Sequence, residues 1–417
     1  MIPLHRFSEA KPGELAPIQR EDRGGFLVNY QVFMGGLKIF LLLFLTLAGS
    51  YASAQVKVRL FSNRSPESAL FSVTGGKYEI SGFNGDNIDV SEGEPVIITK
   101  YKGRLAVKSR NTKGFICDSV MLAGKTGDDS FSLRINGKVP VRQFYSGNLK
   151  CFPDLETLVL INISDVEKYI SGVVKAEGGS GRNIEYFKTQ AVIARTYLYR
   201  YFDKHASDRY NVCDNTHCQS FNGISPDTII NNAALETKGE VILTQDSILI
   251  IAAFHSNCGG ETASSEDVWL SGQPYLESMN DPYCITSRSA TWEKNVSMKN
   301  WIDLLKKSGF KGNTDNPSDF NYLQKYRKTE YRIGSFSIPL RTIRAELNLR
   351  STFFSVVANG DSVSLKGRGY GHGVGLCQEG AMVMATKGFD YKSIIDFYYA
   401  GVLITDIKNA VILPATP

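Results

Sequence analysis

The sequence predicts a mixed α+β fold with a β-rich core and several helices, preceded by a small N-terminal all-β region. Short, alternating, β-branched segments occupy residues 55–128, and apolar residues with helical spacing follow residue 164. Strand-like and helix-like segments then alternate towards the C-terminus. The chain has 417 residues, of which 42% are hydrophobic, so it can bury a substantial core. This length suggests two folded regions or one large one.

The first 54 residues predict an export signal. In "MGGLKIFLLLFLTLAGSYASAQ", Lys38 precedes an apolar run, and small residues end at Ala54, as in a signal peptide that is cleaved after Ala54. The alternative is a retained N-terminal membrane anchor, but a run of about ten apolar residues is shorter than the roughly 20 that span a bilayer. We expect residues 34–54 to be a signal peptide and residues 1–33, which precede a normal start at Met34, to be a mis-assigned extension. The mature protein is then exported, to the periplasm or to the cell wall.

Charge and cysteine content narrow the function classes further. The net charge of +5, with no basic run interleaved with aromatic residues, argues against a nucleic-acid partner. Disulfides persist in exported proteins, but the seven cysteines are an odd number and cannot all pair within one chain. Cys117 with Cys151 and Cys258 with Cys284 are candidate pairs. A nucleophilic Cys258 is less favoured, because nothing marks a partner that would stabilise its thiolate.

Residues 55–128 predict short antiparallel strands. The segments "VKVRLF", "KYEISGF", "PVIITKYKG" and "RLAVKS" alternate in polarity and are broken by "NGDN" and "SEGE". They carry no catalytic signature, so we expect a small β domain of unknown role that ends at residue 128. The stretch "FSLRINGKVPVRQF", which follows, predicts a hairpin with "NG" as its turn.

The pattern changes to a helix in "ISDVEKYISGVVKAEGGSG". Ser164, followed three residues later by Glu167, is typical of a capping box, and apolar residues then recur with helical period. Gly178 and Gly179 are expected to end this helix, with Glu177 at its last turn. Carbonyl groups at a helix C-terminus disfavour an ionised carboxylate and raise its pKa, which suits a general acid. A solvated glutamate before a turn is the plainer alternative.

A second helix is predicted in "NIEYFKTQAVIARTYLYRYF". Lys188 and Arg195 are seven residues apart and therefore share a helix face. Arg195, if it lies close to Glu177, would favour the charged form of that carboxyl, so the sequence leaves the protonation state of Glu177 open.

The remaining chain mixes strands and helices. Strands are expected in "GEVILT", "ILIIAAFHS", "GSFSIPL" and "SVSLKGRGYGHGVG", and helices in "MKNWIDLLKKSG", "CQEGAMVMATKG" and "DYKSIIDFYYAG". We expect this larger domain to span residues 129–408, with residues 409–417 as a tail.

The stretch "GRGYGHGVGLCQEGA" has a glycine at every second position from Gly367 to Gly375. The spacing fits neither a dinucleotide-binding loop nor a Walker motif. If the run is extended, its glycines lie on one side, and His372 and Tyr370 point to the other. A tight crossing of two backbones is one interpretation, and a glycine-lined wall of a substrate cleft is the other.

The stretch "KHASDRYNVCDNTHCQ" offers two thiols and two imidazoles, which together can complete a tetrahedral zinc shell. The candidate ligands are His205, Cys213, His217 and Cys218. A disulfide between Cys213 and Cys218 is the alternative in an oxidising compartment. Four protein ligands leave no open position, so a zinc ion here would be structural.

Six segments, in this order, resemble the SpoIID/LytB family, which contains stage II sporulation protein D and amidase enhancers. They are "VEKYISGVVKAE", "FKTQAVIARTY", "VCDNTHCQSFNG", "FHSNCGGET", "DVWLSGQPYLESM" and "GRGYGHGVGLCQEGAMVMATKGFDYKSIIDFYYAG". The resemblance covers roughly Asp129 to Thr405 and implies a SpoIID-like fold. It also implies a lytic transglycosylase that cleaves the MurNAc-GlcNAc bond of peptide-stripped peptidoglycan and leaves 1,6-anhydroMurNAc ends.

The resemblance also implies roles for individual residues. The family's catalytic glutamate matches Glu177, its functional arginine matches Arg195, and the two histidines and two cysteines named above match its zinc ligands. A lytic transglycosylase needs one carboxylate where most glycosidases need two. Lys188 and Arg195 are candidate partners for the lactyl carboxylates of the glycan, with His255, His372 and Tyr370 as further candidate substrate contacts.

A second hypothesis, of a different class, is a non-catalytic glycan-binding enhancer of a cell-wall amidase.

The sequence departs from the family pattern in two places. "KAEGGSG" replaces the usual "PSEM"-like step after the glutamate, and serine is common in the family where Cys258 and Cys377 stand. The second departure argues that neither thiol is essential for the family's activity.

Overall fold

A computed structural model describes residues 54–136, 141–155, 157–179, 183–269 and 271–411. The predicted extension and nearly all of the predicted signal peptide lie outside the described residues, as does most of the predicted tail. None of the helices in the described ranges has the length and apolarity needed to cross a bilayer.

The secondary structure is mixed α+β, as predicted. The helices of the described residues are α1 (Val166–Glu177), α2 (Ile184–Arg200), α3 (Thr228–Glu236), α4 (Ser265–Trp269), α5 (Met298–Lys307), α6 (Leu340–Glu346), α7 (Gln378–Thr386) and α8 (Tyr391–Tyr398). The strands of the first half are β1 (Gln55–Leu60), β2 (Ser68–Gly75), β3 (Lys77–Gly82), β4 (Asn87–Ser91), β5 (Pro95–Tyr101), β6 (Arg104–Ser109), β7 (Phe115–Cys117), β8 (Val120–Gly124), β9 (Ser130–Ile135), β10 (Val141–Ser146), β11 (Asn148–Pro153) and β12 (Leu158–Asp165). Those of the second half are β13 (Val212–Cys213), β14 (Glu240–Leu243), β15 (Phe254–His255), β16 (Thr291–Ser297), β17 (Glu330–Ile333), β18 (Phe336–Pro339), β19 (Phe354–Asn359), β20 (Ser362–Arg368), β21 (Leu376–Cys377) and β22 (Leu403–Asp406).

Two large sheets hold the strands of the first half. One has the order β13-β1-β12-β11-β8-β3-β4, and the other has the order β10-β9-β2-β5-β6-β7. Side chains alternate between buried and more exposed positions along β1 and β2, as the sequence pattern predicts for strands with one face in the core. Strands β9 and β10 pair antiparallel, which confirms the predicted hairpin; its turn at residues 137–140 lies outside the described residues.

The predicted domain boundary between residues 128 and 129 falls inside both sheets. Strand β1 pairs antiparallel with β12, and β2 pairs with both β5 and β9. Buried residues of these strands and of α1 and α2 belong to one hydrophobic cluster. The strands of residues 55–128 are therefore part of the same sheets as residues 129–165, not a separate β domain. Alternating polarity predicts a strand but not which other strand it pairs with, so this pairing could not be predicted from the sequence.

Helix α1 follows β12 directly and begins one residue later than the predicted capping box implies. Asp165 is the N-cap, and its carboxylate accepts hydrogen bonds from the backbone N–H groups of Glu167 and Lys168. Ser164 is the penultimate residue of β12 instead. The helix ends at Glu177, as predicted, and Gly179 takes a positive φ of 70° immediately after it.

Strands and helices of the second half are largely where the sequence predicts them. In "ILIIAAFHS", however, only Phe254–His255 is a strand, and it pairs in parallel with Leu376–Cys377. Strands β16, β20 and β19 form a three-stranded sheet. With α5, α6 and the β17–β18 hairpin, this sheet surrounds a second hydrophobic cluster that contains Trp301 and Tyr331.

The glycine run is not extended after Arg368. Gly369, Gly371, Gly373 and Gly375 have positive φ angles of 75°, 117°, 89° and 69°. The segment crosses the backbone that follows β15, and Asn257 and Tyr370 exchange two backbone hydrogen bonds of 3.0 and 2.7 Å. A Cβ atom on Gly371 would come within 2.8 Å of the His255 Cβ. The tight backbone crossing is therefore confirmed, and the extended geometry with glycines on one side is wrong.

Candidate functional site

Glu177 lies at the C-terminal end of α1, where two other segments meet it. The backbone N–H of Ser220 donates to its Oε1 at 2.6 Å, and the Gln378 side-chain amide donates to its backbone carbonyl at 2.7 Å. Burial raises the pKa of the Glu177 carboxyl above its ordinary value, and the hydrogen bonds from Ser220 oppose the rise. This carboxyl is therefore more readily protonated than a solvated glutamate, as a general acid requires.

The loop that carries Ser220 is anchored to the helices by its neighbour Gln219. The Gln219 amide donates to the carbonyl of Ala194 in α2 at 3.2 Å, and its oxygen accepts a hydrogen bond of 3.2 Å from the hydroxyl of Tyr169 in α1. Gln219 is buried. The position of the Ser220 N–H, and with it the Glu177 carboxyl, therefore depends on this loop.

The same loop carries a group of side chains that could hold a metal ion. One ligand atom each from His205, Cys213, His217 and Cys218 lies within 4.8 Å of the others. The Cys218 sulfur is 3.4 Å from Nε2 of His205 and 3.8 Å from Nδ1 of His217, and the Cys213 sulfur is 3.6 Å from Nδ1 of His217. Neither thiol forms a disulfide. The structure thus brings all four predicted ligands together.

These distances fit a four-coordinate zinc ion. With Zn–S of about 2.3 Å and Zn–N of about 2.0–2.1 Å, sulfur and nitrogen ligands of a tetrahedral ion lie about 3.5 Å apart. The remaining ring nitrogen of His205, Nδ1, lies 3.2 Å from a carboxylate oxygen of Asp208. Such a carboxylate orients a histidine ligand in many zinc sites.

Arg195 has a different environment from the one predicted. It is fully buried, and its guanidinium contacts both carboxylate oxygens of Glu167, with the Nε to Oε1 hydrogen bond at 3.1 Å. It also donates to the carbonyls of Glu240 at 3.0 Å and Ala234 at 3.1 Å. An arginine whose donors are occupied in the core cannot reach a glycan carboxylate. In this structure it joins α1, α2, α3 and β14.

Lys188 is also occupied by acidic partners. Its ammonium group lies 2.8 Å from carboxylate oxygens of both Glu185 and Glu236. The predicted shared face of Lys188 and Arg195 is therefore lined by ion pairs within the protein, and neither side chain is free to bind an anionic substrate without breaking them.

The predicted histidine contacts lie near each other. The rings of His255 and His372 are 5.6 Å apart, and Trp269 lies 5.6 Å from His372 on another side. His255 is buried; its Nδ1 lies 3.1 Å from the Val374 carbonyl, and its Nε2 has no hydrogen-bond partner among the described residues. Burial lowers the pKa of His372 to about 4, so its ring is neutral at pH 7.

His372 lines a cavity of about 420 Å³, within the size range of small-molecule binding sites. Its wall includes the exposed cations Lys328 and Arg341 together with Arg344, and the acidic residues Glu266 and Asp267. Tyr370 is about half exposed, at 48%, and packs beside Arg350. The sequence interpretation did not find these cationic residues, because they come from a segment with no motif.

The structure connects the histidines to Glu177 through the strand pair β15–β21. His255 pairs in register with Cys377, and the next residue, Gln378, holds the Glu177 carbonyl. No hydrogen bond or ring contact joins Glu177 directly to His372 within the described part of the chain. Gln378 and Ser220 are thus the neighbours of Glu177 that sequence reasoning missed, since neither residue type marks a site by itself.

All seven cysteines lie among the described residues, and none forms a disulfide. Cys117 and Cys151 are buried thiols, so this predicted pairing is not present. Cys258 and Cys284 approach each other to 3.2 Å between their sulfur atoms without a bond.

Comparison with known proteins places the chain in a family. A family described as stage II sporulation protein matches residues 155–243, which include Glu177 and the loop with the four candidate metal ligands. The chain is 32% identical to an uncharacterized protein of Brachyspira hyodysenteriae, over 64% of this chain and 73% of that protein. It is 30% identical to stage II sporulation protein D of Bacillus subtilis, over 58% of this chain and 74% of that protein.

An amidase enhancer of Bacillus subtilis is also 30% identical, over 57% of this chain and 40% of that protein. Two differently named proteins are thus each similar to more than half of this chain, and these relationships support a cell-wall-related function. The chain belongs to the SpoIID/LytB family.

Proposed function

We propose that this protein is a peptidoglycan lytic transglycosylase that cleaves the MurNAc-GlcNAc bond of peptide-stripped glycan strands. The observation that carries the proposal is the environment of Glu177, a carboxyl whose pKa is raised by burial and whose Oε1 is fixed by the Ser220 N–H. Membership of the SpoIID/LytB family supports the proposed reaction class.

The proposed reaction needs a single carboxyl. Protonated Glu177 donates its proton to the glycosidic oxygen as the bond from that oxygen to C1 of MurNAc breaks. The resulting carboxylate then takes the proton of the MurNAc 6-hydroxyl as O6 bonds to C1. The products are a 1,6-anhydroMurNAc end and a free GlcNAc hydroxyl, the enzyme regains its starting proton, and no water is consumed.

Recognition of the glycan is proposed to use the cavity at His372 in place of Arg195 and Lys188. Stripped strands retain one lactyl carboxylate on each MurNAc, and the exposed cations Lys328 and Arg341 at this cavity can pair with it. Trp269, whose ring lies 5.6 Å from that of His372, and the half-exposed Tyr370 are outside the cavity lining and are proposed as further aromatic contacts for sugar rings. His255, which is buried and does not line this cavity, is proposed to support the His372 ring, whose centroid lies 5.6 Å from its own.

Zinc is proposed to occupy the group formed by His205, Cys213, His217 and Cys218. With four protein ligands it would be structural, and its role would be to hold the loop that places the Ser220 N–H on Glu177. We also propose that the protein is exported, with an N-terminal membrane anchor as the alternative.

The proposal is tested by incubating the purified protein with glycan strands freed of peptides and with intact peptidoglycan. Mass spectrometry should find 1,6-anhydroMurNAc ends from the stripped strands. Glu177→Gln should lower the rate by about 10²-fold or more, because general acid–base catalysis contributes about 10²–10⁴-fold. Glu346→Gln is the matched control and should retain activity, because Glu346 is an exposed carboxylate that pairs with Lys307 at 3.1 Å. Equal rates for wild type and Glu177→Gln would refute the mechanism.

A second candidate function is the enhancement of a cell-wall amidase, favoured by the similarity to the amidase enhancer. It predicts no anhydro product from any glycan, but a faster release of stem peptides when the protein is added to an amidase. Glu177→Gln would then enhance the amidase as well as wild type does.

A further inference from the structure

A second group of side chains that could hold a metal ion lies in the hydrophobic core, away from the His205 group in sequence. Cys258 follows β15, Cys377 ends β21, and Asp281 and Cys284 lie in the loop after α4. One ligand atom from each lies within 4.8 Å of the others. All four residues are 0% exposed, so this is a closed site built from three segments of the chain.

The geometry is close to that of a four-coordinate ion. The Cys258 sulfur is 3.2 Å from the Cys284 sulfur and 3.2 Å from Oδ2 of Asp281. Sulfur and oxygen ligands around zinc lie about 3.6–3.8 Å apart for Zn–S of about 2.3 Å and Zn–O of about 2.0–2.2 Å. The sulfur and oxygen atoms therefore need to move apart by only about 0.5 Å to accept the ion.

Neighbouring groups orient the ligands. Oδ1 of Asp281 accepts the Tyr283 N–H at 2.9 Å, and Oδ2 accepts the Tyr398 hydroxyl at 3.0 Å while facing the sulfur atoms. Residue 380 is glycine, and a Cβ there would overlap both the Tyr398 hydroxyl and the Asp281 carboxylate. The carboxylate is thus held in place by groups that leave it directed at the three thiols.

Backbone donors support a thiolate at Cys377. The N–H groups of Cys258 and Gly380 donate to its sulfur at 3.3 and 3.4 Å, and Cys377 is the N-cap of α7. N–H···S bonds of this kind stabilise metal-bound thiolates. Asp281 forms no ion pair with a lysine, arginine or histidine in the described part of the chain. The Arg327 guanidinium lies beside this group, but it donates to the backbone carbonyl of Cys258 at 2.6 Å and forms no ion pair with Asp281. A buried carboxylate next to three thiols, with no directly paired cation among the described residues, is an unusual set to find in a core.

We propose that Cys258, Asp281, Cys284 and Cys377 bind a structural Zn²⁺ ion, distinct from the one proposed at His205. Thiolate ligands select zinc over the hard divalent cations, and four protein ligands close the site. The ion would tie the loop after β15 and the loop after α4 to the start of α7. Gln378, the residue after Cys377, holds the Glu177 carbonyl, so the ion would stabilise this side of the candidate site.

A disulfide between Cys258 and Cys284 is the competing structure for the same thiols. It would use two of the four ligands and leave the Cys377 thiol and the Asp281 carboxylate with no role in the group. Peptide mapping without reductant distinguishes the two, because only the disulfide links these peptides covalently.

Zinc stoichiometry tests the proposal on the full chain. Native mass spectrometry and elemental analysis should find two zinc ions per chain in wild type, and one ion fewer in Cys258→Ser/Cys377→Ser. Cys213→Ser/Cys218→Ser should lose the other ion, and Cys117→Ser, a buried thiol outside both groups, should lose none. The proposal would be overturned if Cys258→Ser/Cys377→Ser held as many zinc ions as wild type. A Cys258–Cys284 disulfide in the peptide map would also overturn it.

A second measurement keeps the test decisive if the double variant does not fold. Wild type with zinc replaced by cadmium should give a ¹¹³Cd NMR resonance from an ion with three sulfur ligands, separate from any signal of an ion with two. The absence of a three-sulfur resonance would overturn the proposal. The result is independent of catalysis, so a failed transglycosylase assay leaves it unaffected.

Discussion

Burial of Glu177 has a consequence for stability as well as for catalysis. Its pKa is raised in the folded protein, so the folded state holds the proton more tightly than the unfolded state does. Stability from this group is therefore present at low pH and is lost as pH rises through the raised pKa. Above the raised pKa the ionised carboxylate destabilises the fold.

Glu177→Gln should consequently increase the free energy of unfolding at pH 7, because the amide carries no charge to desolvate. The gain should disappear below the ordinary carboxyl pKa of 4.5, where the group is protonated in both states. Urea denaturation at several pH values measures this. A variant that is less stable than wild type at pH 7 would show that Glu177 is not held in a destabilising environment.

Arg195 differs from Glu177 in that it is a buried charged group whose hydrogen-bond and ion-pair partners all belong to the protein. Arg195→Met should cost about 3–5 kcal/mol of stability, because it leaves the Glu167 carboxylate buried without its partner. Adding Glu167→Met to this variant should recover much of the loss. Thermal and urea denaturation measure both changes. If Arg195→Met kept full stability and raised only the KM for glycan, the substrate-binding role would be restored.

At the scale of elements, the glycine run shows why a periodic pattern can mislead. Alternating glycines suggested an extended segment, but the positive φ angles turn the backbone at each of them. A run of glycines permits several backbone conformations. The close crossing with the backbone that follows β15 selects the one with positive φ angles.

Gly375→Ala should destabilise the protein more than Gly360→Ala does. Both glycines have positive φ, but a Cβ at residue 375 would overlap the carbonyl oxygen of Ala253, whereas no atom of the described residues lies within 4 Å of one at residue 360. We expect about 1–2 kcal/mol at Gly360 from the backbone conformation alone and a larger loss at Gly375. Urea denaturation of the two variants compares them, and equal losses would contradict the crossing.

At the scale of the whole molecule, residues 55–128 are predicted to be indispensable for folding. A fragment that begins at residue 129 lacks β1 to β8, which leaves β12 without β1 and β9 without β2. The exposed strand edges should make the fragment aggregate or remain unfolded. Circular dichroism and size-exclusion chromatography test this against the full chain. A soluble fragment that unfolds cooperatively would show instead that residues 55–128 are a separate domain.

Local features of this fold were predictable, and long-range ones were not. Helical period and two glycines placed Glu177 at a helix end, and the residue types at His205, Cys213, His217 and Cys218 indicated a metal site. The partner of Arg195, by contrast, is Glu167, 28 residues away. Sheet pairing across residue 128 and the contact of Gln378 with Glu177 also depend on chain segments that only the folded structure brings together.

The most direct test of the central claim is to run the reaction in ¹⁸O-labelled water and analyse the glycan ends by mass spectrometry. An intramolecular attack by the MurNAc 6-hydroxyl, assisted by Glu177, predicts anhydro ends that contain no solvent oxygen, together with a loss of product in Glu177→Gln. Product ends that carry ¹⁸O would show hydrolysis by an activated water and would contradict the account.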